Sequence, residues 1–192
     1  MNIPTRLTVF RIIVTFITMG LLSLPGPYAK GAGLALCVVA AVTDWWDGYL
    51  ARRLNQITPM GALLDPIADK VLVLGLLFGL TRLGLLPAWM MAVILVRELL
   101  ISGVRIYAAS CRVIIPAEKE GKHKAFVQMV TILIALTLLL IRERVAPGSL
   151  AGFDFRMHQT VLWCLWLTVA LTVYSGAAFF WRNRSILADL SR

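Results

Sequence analysis

Asp44-Trp45-Trp46-Asp47-Gly48-Tyr49-Leu50-Ala51-Arg52, followed after eight residues by Gly61-Ala62-Leu63-Leu64-Asp65-Pro66-Ile67-Ala68-Asp69, sets four carboxylates at or within the ends of two apolar runs. A carboxylate at the centre of a lipid-embedded helix costs roughly 2.5–3.5 kcal/mol on insertion scales. Four of them facing lipid would cost roughly 10–14 kcal/mol, as much as the whole stability of an ordinary fold. Something must compensate them. On a helix, Asp44 and Asp47 stand at i and i+3 and share a face, continued by Gly48, Ala51 and Arg52. Gly61, Asp65 and Asp69 recur at i, i+4 and i+8 on the next helix. A short basic connection makes the two helices antiparallel, so both acidic faces lie toward one end of the bundle. Convergent carboxylates suit a hard divalent cation such as Mg²⁺, whose remaining ligands are commonly substrate phosphates and water. Two such ions can bridge a diphosphate and offset charge in a displacement. Gly48, Ala51 and Gly61 leave room for a flat ligand near the backbone, and Arg52 suits a phosphate. Interfacial, snorkelling charge would explain one aspartate at a helix end. It does not explain four at these spacings.

The surrounding chain agrees with lipid as the solvent. Of 192 residues, 59% are hydrophobic and 15% charged, with a mean hydropathy of +0.82. Soluble domains carry about 45–50% apolar and about 25% charged residues. Six stretches are long and apolar enough to span a bilayer: about 8–24, 32–52, 61–82, 86–108, 123–141 and 158–181. Pro25-Gly26-Pro27, Pro59, Pro87, Pro116 and Pro147-Gly148 punctuate them. The expected fold is an all-α integral membrane protein with six transmembrane helices and a single domain over 1–192. Residues 1–7 form a short interfacial segment. Pro25-Gly26-Pro27-Tyr28 follows the first run where a cleavage site would need small residues, so that run reads as a retained span.

The net charge is +9. In a lipid-embedded chain this reads as basic loops and a site for phosphorylated ligands, with no nucleic acid implied. Twelve of the 19 Lys and Arg residues fall on the side of the N-terminus, the connections after spans 2 and 4, and the C-terminus; five fall on the other side. That asymmetry places both termini in the cytoplasm. Cys37, Cys111 and Cys164 have no paired spacing and read as small core residues.

The pattern Asp44-x-x-Asp47-Gly48-x-x-Ala51-Arg52, eight residues, then Gly61-x-x-x-Asp65-x-x-x-Asp69 resembles the signature of the CDP-alcohol phosphotransferase family at all eight fixed positions. The resemblance implies a six-helix, usually homodimeric membrane enzyme with its site facing the cytoplasm, which uses Mg²⁺ or Mn²⁺ and releases CMP. It assigns Asp44, Asp47, Asp65 and Asp69 to metal, and Asp69 also to general-base catalysis on the acceptor hydroxyl. It gives Gly48, Ala51, Arg52 and Gly61 to the CDP moiety of CDP-diacylglycerol. The chemistry is coherent, because a hydroxyl is a poor nucleophile at neutral pH until a base takes its proton. The resemblance continues through Asn2-Ile3-Pro4-Thr5, Leu7-Thr8 and Arg11, then Arg97-Glu98, Ile101-Ser102 and Arg105, then Gly121-Lys122-x-Lys124 and Gln128. Over this span the chain is similar to the bacterial branch of the family whose acceptor is sn-glycerol 3-phosphate, an enzyme of the cytoplasmic (inner) membrane.

A phosphorylated acceptor also makes sense of the cations. Arg97 lies in mid-span, and Arg105, eight residues on, shares its face. Lys122 and Lys124 begin the fifth helix on the side of the aspartates. Together the four can bind an acceptor phosphate. Glu98 is adjacent in sequence but lies about 100° around the helix from Arg97, so it is not an obvious partner. The plainer readings are positive-inside loop charge for the lysines and a structural carboxylate partner for Arg97. Inositol phosphate would use the same cations, and serine or phosphatidylglycerol acceptors share the core signature.

Trp45 and Trp46 read as packing or interface residues, His123 as a solvated histidine, and His158 as the start of the sixth helix on the far side. Gly75-x-x-x-Gly79 permits close helix packing. A cation transporter would need polar faces reaching both surfaces, yet Leu34 to Val42 and Val71 to Leu80 are apolar. A non-catalytic assembly subunit would have no use for four buried acids.

Overall fold

The computed structural model describes residues 3–54, 59–111, 113, 115, 119–145 and 147–190, with side chains described along these except at 3–8, 44–54, 59–66, 69, 119, 120, 122, 147 and 188–190. Among the described residues there is no strand. Six long helices form: α1 (Ile3–Ser23), α2 (Pro27–Leu54), α3 (Pro59–Arg82), α4 (Ala88–Ser110), α5 (Lys119–Arg142) and α6 (Leu150–Arg182). A single 3-10 turn (Pro147–Ser149) precedes α6 and a short α7 (Arg184–Leu190) follows it.

The breaks have local causes. Gly26 adopts φ +100°, and Pro27 then opens α2, where its missing N–H costs nothing. Gly84 at φ +73° closes α3: Leu85 N–H reaches the Leu80 carbonyl at 3.0 Å and Gly84 N–H reaches Thr81 at 3.0 Å. Lys30, buried near the start of α2, donates to the Leu22 carbonyl and so caps the end of α1 from the neighbouring helix. Several expected boundaries move, and α2 begins at Pro27 rather than near 32. α1 runs unbroken from Ile3, so the backbone of residues 3–7 is already helical. α6 begins at Leu150, not near 158, and His158 lies two turns inside it. The polar residues Asp154, Arg156 and His158 lower hydropathy there without interrupting backbone hydrogen bonding.

α1 packs on both α2 and α3. α5 touches α2, α3 and α6, and α4 touches α3 and α6. The interior holds Leu72, Leu76, Leu80, Ile94, Ile132, Leu136 and Leu165. Gly75 lets α3 approach α1: a Cβ there would stand 2.8 Å from Thr15 Cγ2 and 3.3 Å from Met19 Sδ. The Gly75-x-x-x-Gly79 pair is thus spent on packing within the chain. Outside, Phe16, Phe78, Leu99, Trp163, Tyr174 and Trp181 are exposed. Inside, Thr15, Thr18, Thr131, Thr168, Thr172 and Ser175 are buried. Apolar side chains outward and hydroxyls inward is the arrangement of a protein dissolved in lipid. Among the described residues, the helices over His123–Arg142 and Leu150–Arg182 are long and apolar enough to cross a bilayer, and shorter apolar helices cover Val9–Ser23 and Pro27–Thr43.

Candidate active site

Packing contacts far from the site fix the register of the helices, and the register locates the acidic signature. α1 and α2 run antiparallel, with Leu22 and Leu21 against Gly33. Following both helices away from that contact brings Asp44 on α2 to about the level of Arg11 on α1. α1 and α3 run parallel, since Thr15 meets Gly75 and Leu22 lies near Gly79. One turn back from Thr15, Arg11 therefore stands level with Asp69 to Val71 on α3. α2 and α5 run antiparallel from the contact of Gly31 with Leu140, which carries Asp47 to about the level of Lys124. Lys70 of α3 meets Ser102 of α4. Lys124 of α5 meets Glu98 of α4, and Arg97 of α4 meets Ser175 of α6. Segments from all six helices thus share one level of the bundle.

The backbone of Asp44, Asp47, Gly48, Ala51 and Arg52 is helical within α2, and that of Gly61, Asp65 and Asp69 within α3. Their side chains, with those of Trp45, Trp46 and Lys122, lie outside the described residues. Carboxylates are the oxygen donors that a hard divalent cation takes, so the residue type at these four positions fits such an ion.

The described part of the site is a polar cluster between α3, α4, α5 and α6. Arg97 Nη1 donates to Glu98 Oε1 at 3.1 Å, and Arg97 Nη2 to Ser175 Oγ at 3.0 Å. Lys124, buried, donates to the same Glu98 oxygen. Ser102 Oγ donates to the Glu98 carbonyl at 2.6 Å and accepts from Lys70. Gln128, one turn beyond Lys124, is buried, and its amide nitrogen has no hydrogen-bond partner among the described residues. A buried donor of this kind is normally satisfied by a ligand or by ordered water. Behind Arg97, Ser175 Oγ donates to the Thr172 carbonyl at 3.1 Å, and Thr172 to that of Thr168 at 2.7 Å. Thr168 meets Thr131 of α5 at 2.9 Å.

Of the expected acceptor cations, Arg97 and Lys124 are brought together. Arg105 lies further along α4, its guanidinium 5.5 Å from the centroid of the Phe179 ring on α6. Arg97 and Arg105 do share a face, because both reach α6. Glu98, not an obvious partner for Arg97 from its place on the helix, does pair with it. Cβ directions about 100° apart are bridged by a long, flexible guanidinium stem, and both side chains close toward α5 and α6. His123 is exposed in the first turn of α5. Ser175 and Lys70 were not singled out from the sequence. For Ser175 the signal was present: Thr168, Thr172 and Ser175 recur at helical spacing as a polar stripe in an apolar helix.

The family model for CDP-alcohol phosphatidyltransferase matches residues 1–181. This chain belongs to the CDP-alcohol phosphatidyltransferase family. Among its relatives, the CDP-diacylglycerol–glycerol-3-phosphate 3-phosphatidyltransferase of Bacillus subtilis (strain 168) is 36% identical, over 95% of this chain and 95% of the relative. The enzyme of the same name from Rickettsia bellii (strain RML369-C) is 33% identical over 93% of each chain. That of Escherichia coli (strain K12) is 41% identical over 75% of this chain and 79% of the relative. These matches extend well beyond the two acidic helices and take in the α4 and α5 residues of the polar cluster.

Proposed function

We propose that this CDP-alcohol phosphatidyltransferase transfers the phosphatidyl group of CDP-diacylglycerol to sn-glycerol 3-phosphate, giving phosphatidylglycerophosphate and CMP. The observation that carries the reading is the single level shared by the acidic segments of α2 and α3 and the Arg97–Glu98–Lys124 cluster. A nucleotide-diphosphate half and a phosphate-recognising half then lie side by side. The names of the relatives point to the same acceptor.

In this reading Asp44, Asp47, Asp65 and Asp69 hold Mg²⁺ or Mn²⁺, two ions in all. The ions would supply charge to the diphosphate and to departing CMP. Gly48, Ala51 and Gly61 leave space for the cytidine, and Arg52 pairs with the diphosphate. Arg97, Arg105, Lys122 and Lys124 receive the acceptor phosphate and orient the glycerol hydroxyl. Asp69 takes the hydroxyl proton. The hydroxyl oxygen forms a bond to the phosphatidyl phosphorus as the bond from that phosphorus to the oxygen of CMP breaks. No covalent nucleophile is needed.

All six long helices span the cytoplasmic (inner) membrane. Both termini and the site face the cytoplasm, and the working unit is a homodimer. The test is turnover of CDP-diacylglycerol with labelled sn-glycerol 3-phosphate and Mg²⁺, with serine and inositol phosphate in parallel. Labelled phosphatidylglycerophosphate with matching CMP supports the proposal. CMP released only with another alcohol would keep the chemistry and move the acceptor. Full activity in excess chelator would remove the metal from the mechanism.

A further inference from the structure

Arg97 Nη1 and Lys124 reach one and the same oxygen, Oε1 of Glu98, from two different helices. Two cations whose ends converge on one point repel each other, and Lys124 is only 4% exposed, so water screens little of that repulsion. The carboxylate between them offsets it. A carboxylate oxygen that accepts from a guanidinium and an ammonium together presents what one phosphate oxygen would present. Ser175 fixes the other arm of Arg97, and Ser102 ties the backbone carbonyl of Glu98 to Lys70 on α3, the residue after Asp69. We infer that Glu98 is a positioning residue for the acceptor half of the site: its carboxylate draws Arg97 and Lys124 together, and the phosphate of the acceptor then engages both cations beside it.

The inference rests on the proposed phosphorylated acceptor and adds to it a residue that does not itself bind the phosphate. Three groups with two positive charges and one negative retain a net positive charge for an incoming dianion. The cations are held convergent before binding, so the acceptor is spared the cost of ordering two long side chains. Glu98 acts through its neighbours, so its loss should be felt mainly in acceptor binding.

The experiment is steady-state kinetics of the full-length protein and of Glu98→Gln, which keeps the shape and removes the charge, varying each substrate in turn. The acceptor KM should rise about tenfold or more, with the KM for CDP-diacylglycerol and kcat each changed by less than about threefold. Glu98→Asp, which keeps the charge on a shorter stem, should recover part of the loss. An unchanged or lowered acceptor KM, or both KM values rising together, would overturn the inference. Should Glu98→Gln fail to fold, the pair is removed together. Glu98→Gln added to Lys124→Gln should raise the acceptor KM by less than about threefold over Lys124→Gln alone, and a further full tenfold would overturn the coupling. Absence of product from the unaltered protein with glycerol 3-phosphate would instead strike the proposed acceptor. A working protein whose acceptor KM ignores Glu98 strikes only this inference.

Discussion

Asp69 and Ser175 mark the two ends of what one residue does in this site. If Asp69 is the base, Asp69→Asn lowers kcat by about 10²–10⁴-fold in protein that still inserts and folds, the usual worth of a positioned general base. Single-turnover release of CMP measures this, and near-normal release would contradict the assignment. Ser175 acts through Arg97. Its hydroxyl accepts from Arg97 at 3.0 Å while donating to Thr172, so Ser175→Ala removes a hydrogen bond to a charged group. That is worth about 1.5–3 kcal/mol, and the acceptor KM should rise about tenfold while the KM for CDP-diacylglycerol holds. The aspartates stand out in the sequence because a carboxylate in an apolar run needs a compensating partner, and their role remains a proposal. The pairing of Arg97 with Glu98 does not stand out, because a helical wheel records where Cβ points and not how far a guanidinium reaches.

At the scale of elements, the helices owe their starts and stops to proline and glycine, and their closeness to small side chains. Gly75→Ala would press a methyl group against the β-branched Thr15, whose Cγ2 lies 2.8 Å away and cannot swing aside freely. The expected cost is about 1–3 kcal/mol, read as a lower melting temperature in detergent. An unshifted melting temperature would mean that α1 and α3 separate more easily than this packing implies. Gly176 presses on Arg97 in the same way, with a Cβ there 3.2 Å from Arg97 Cγ. By contrast Arg142 and Asp154, joined at 2.7 and 3.0 Å but each more than a third exposed, are screened by solvent, so Asp154→Asn leaves stability and turnover nearly unchanged. The number and order of the six long helices could be read from hydropathy and punctuation, whereas the short α7 could not. The ends of α2 and α6 could not: Tyr28, Lys30, Asp154 and His158 are polar enough to close a hydropathy window, while backbone hydrogen bonding carries the helix through them.

Over the described residues the molecule turns an apolar surface outward and brings Arg97, Glu98 and Lys124 together within the bundle. The distribution of Lys and Arg argues that positive charge lies toward one membrane face. That six helices contribute to a single level depends on register set by Gly31, Gly33 and Gly75, which composition does not reveal. The proposed orientation puts the end of α4 in the cytoplasm, where Cys111 is exposed while Cys37 is buried. A membrane-impermeant maleimide should therefore label Cys111 in inverted vesicles and not in right-side-out cells; the opposite pattern would reverse the topology. The central claim is the reaction itself, and its most direct measurement is CMP release from CDP-diacylglycerol with labelled sn-glycerol 3-phosphate and Mg²⁺. The account predicts labelled phosphatidylglycerophosphate in equal amount to CMP. No CMP with any alcohol acceptor, from protein shown to be folded, would contradict it.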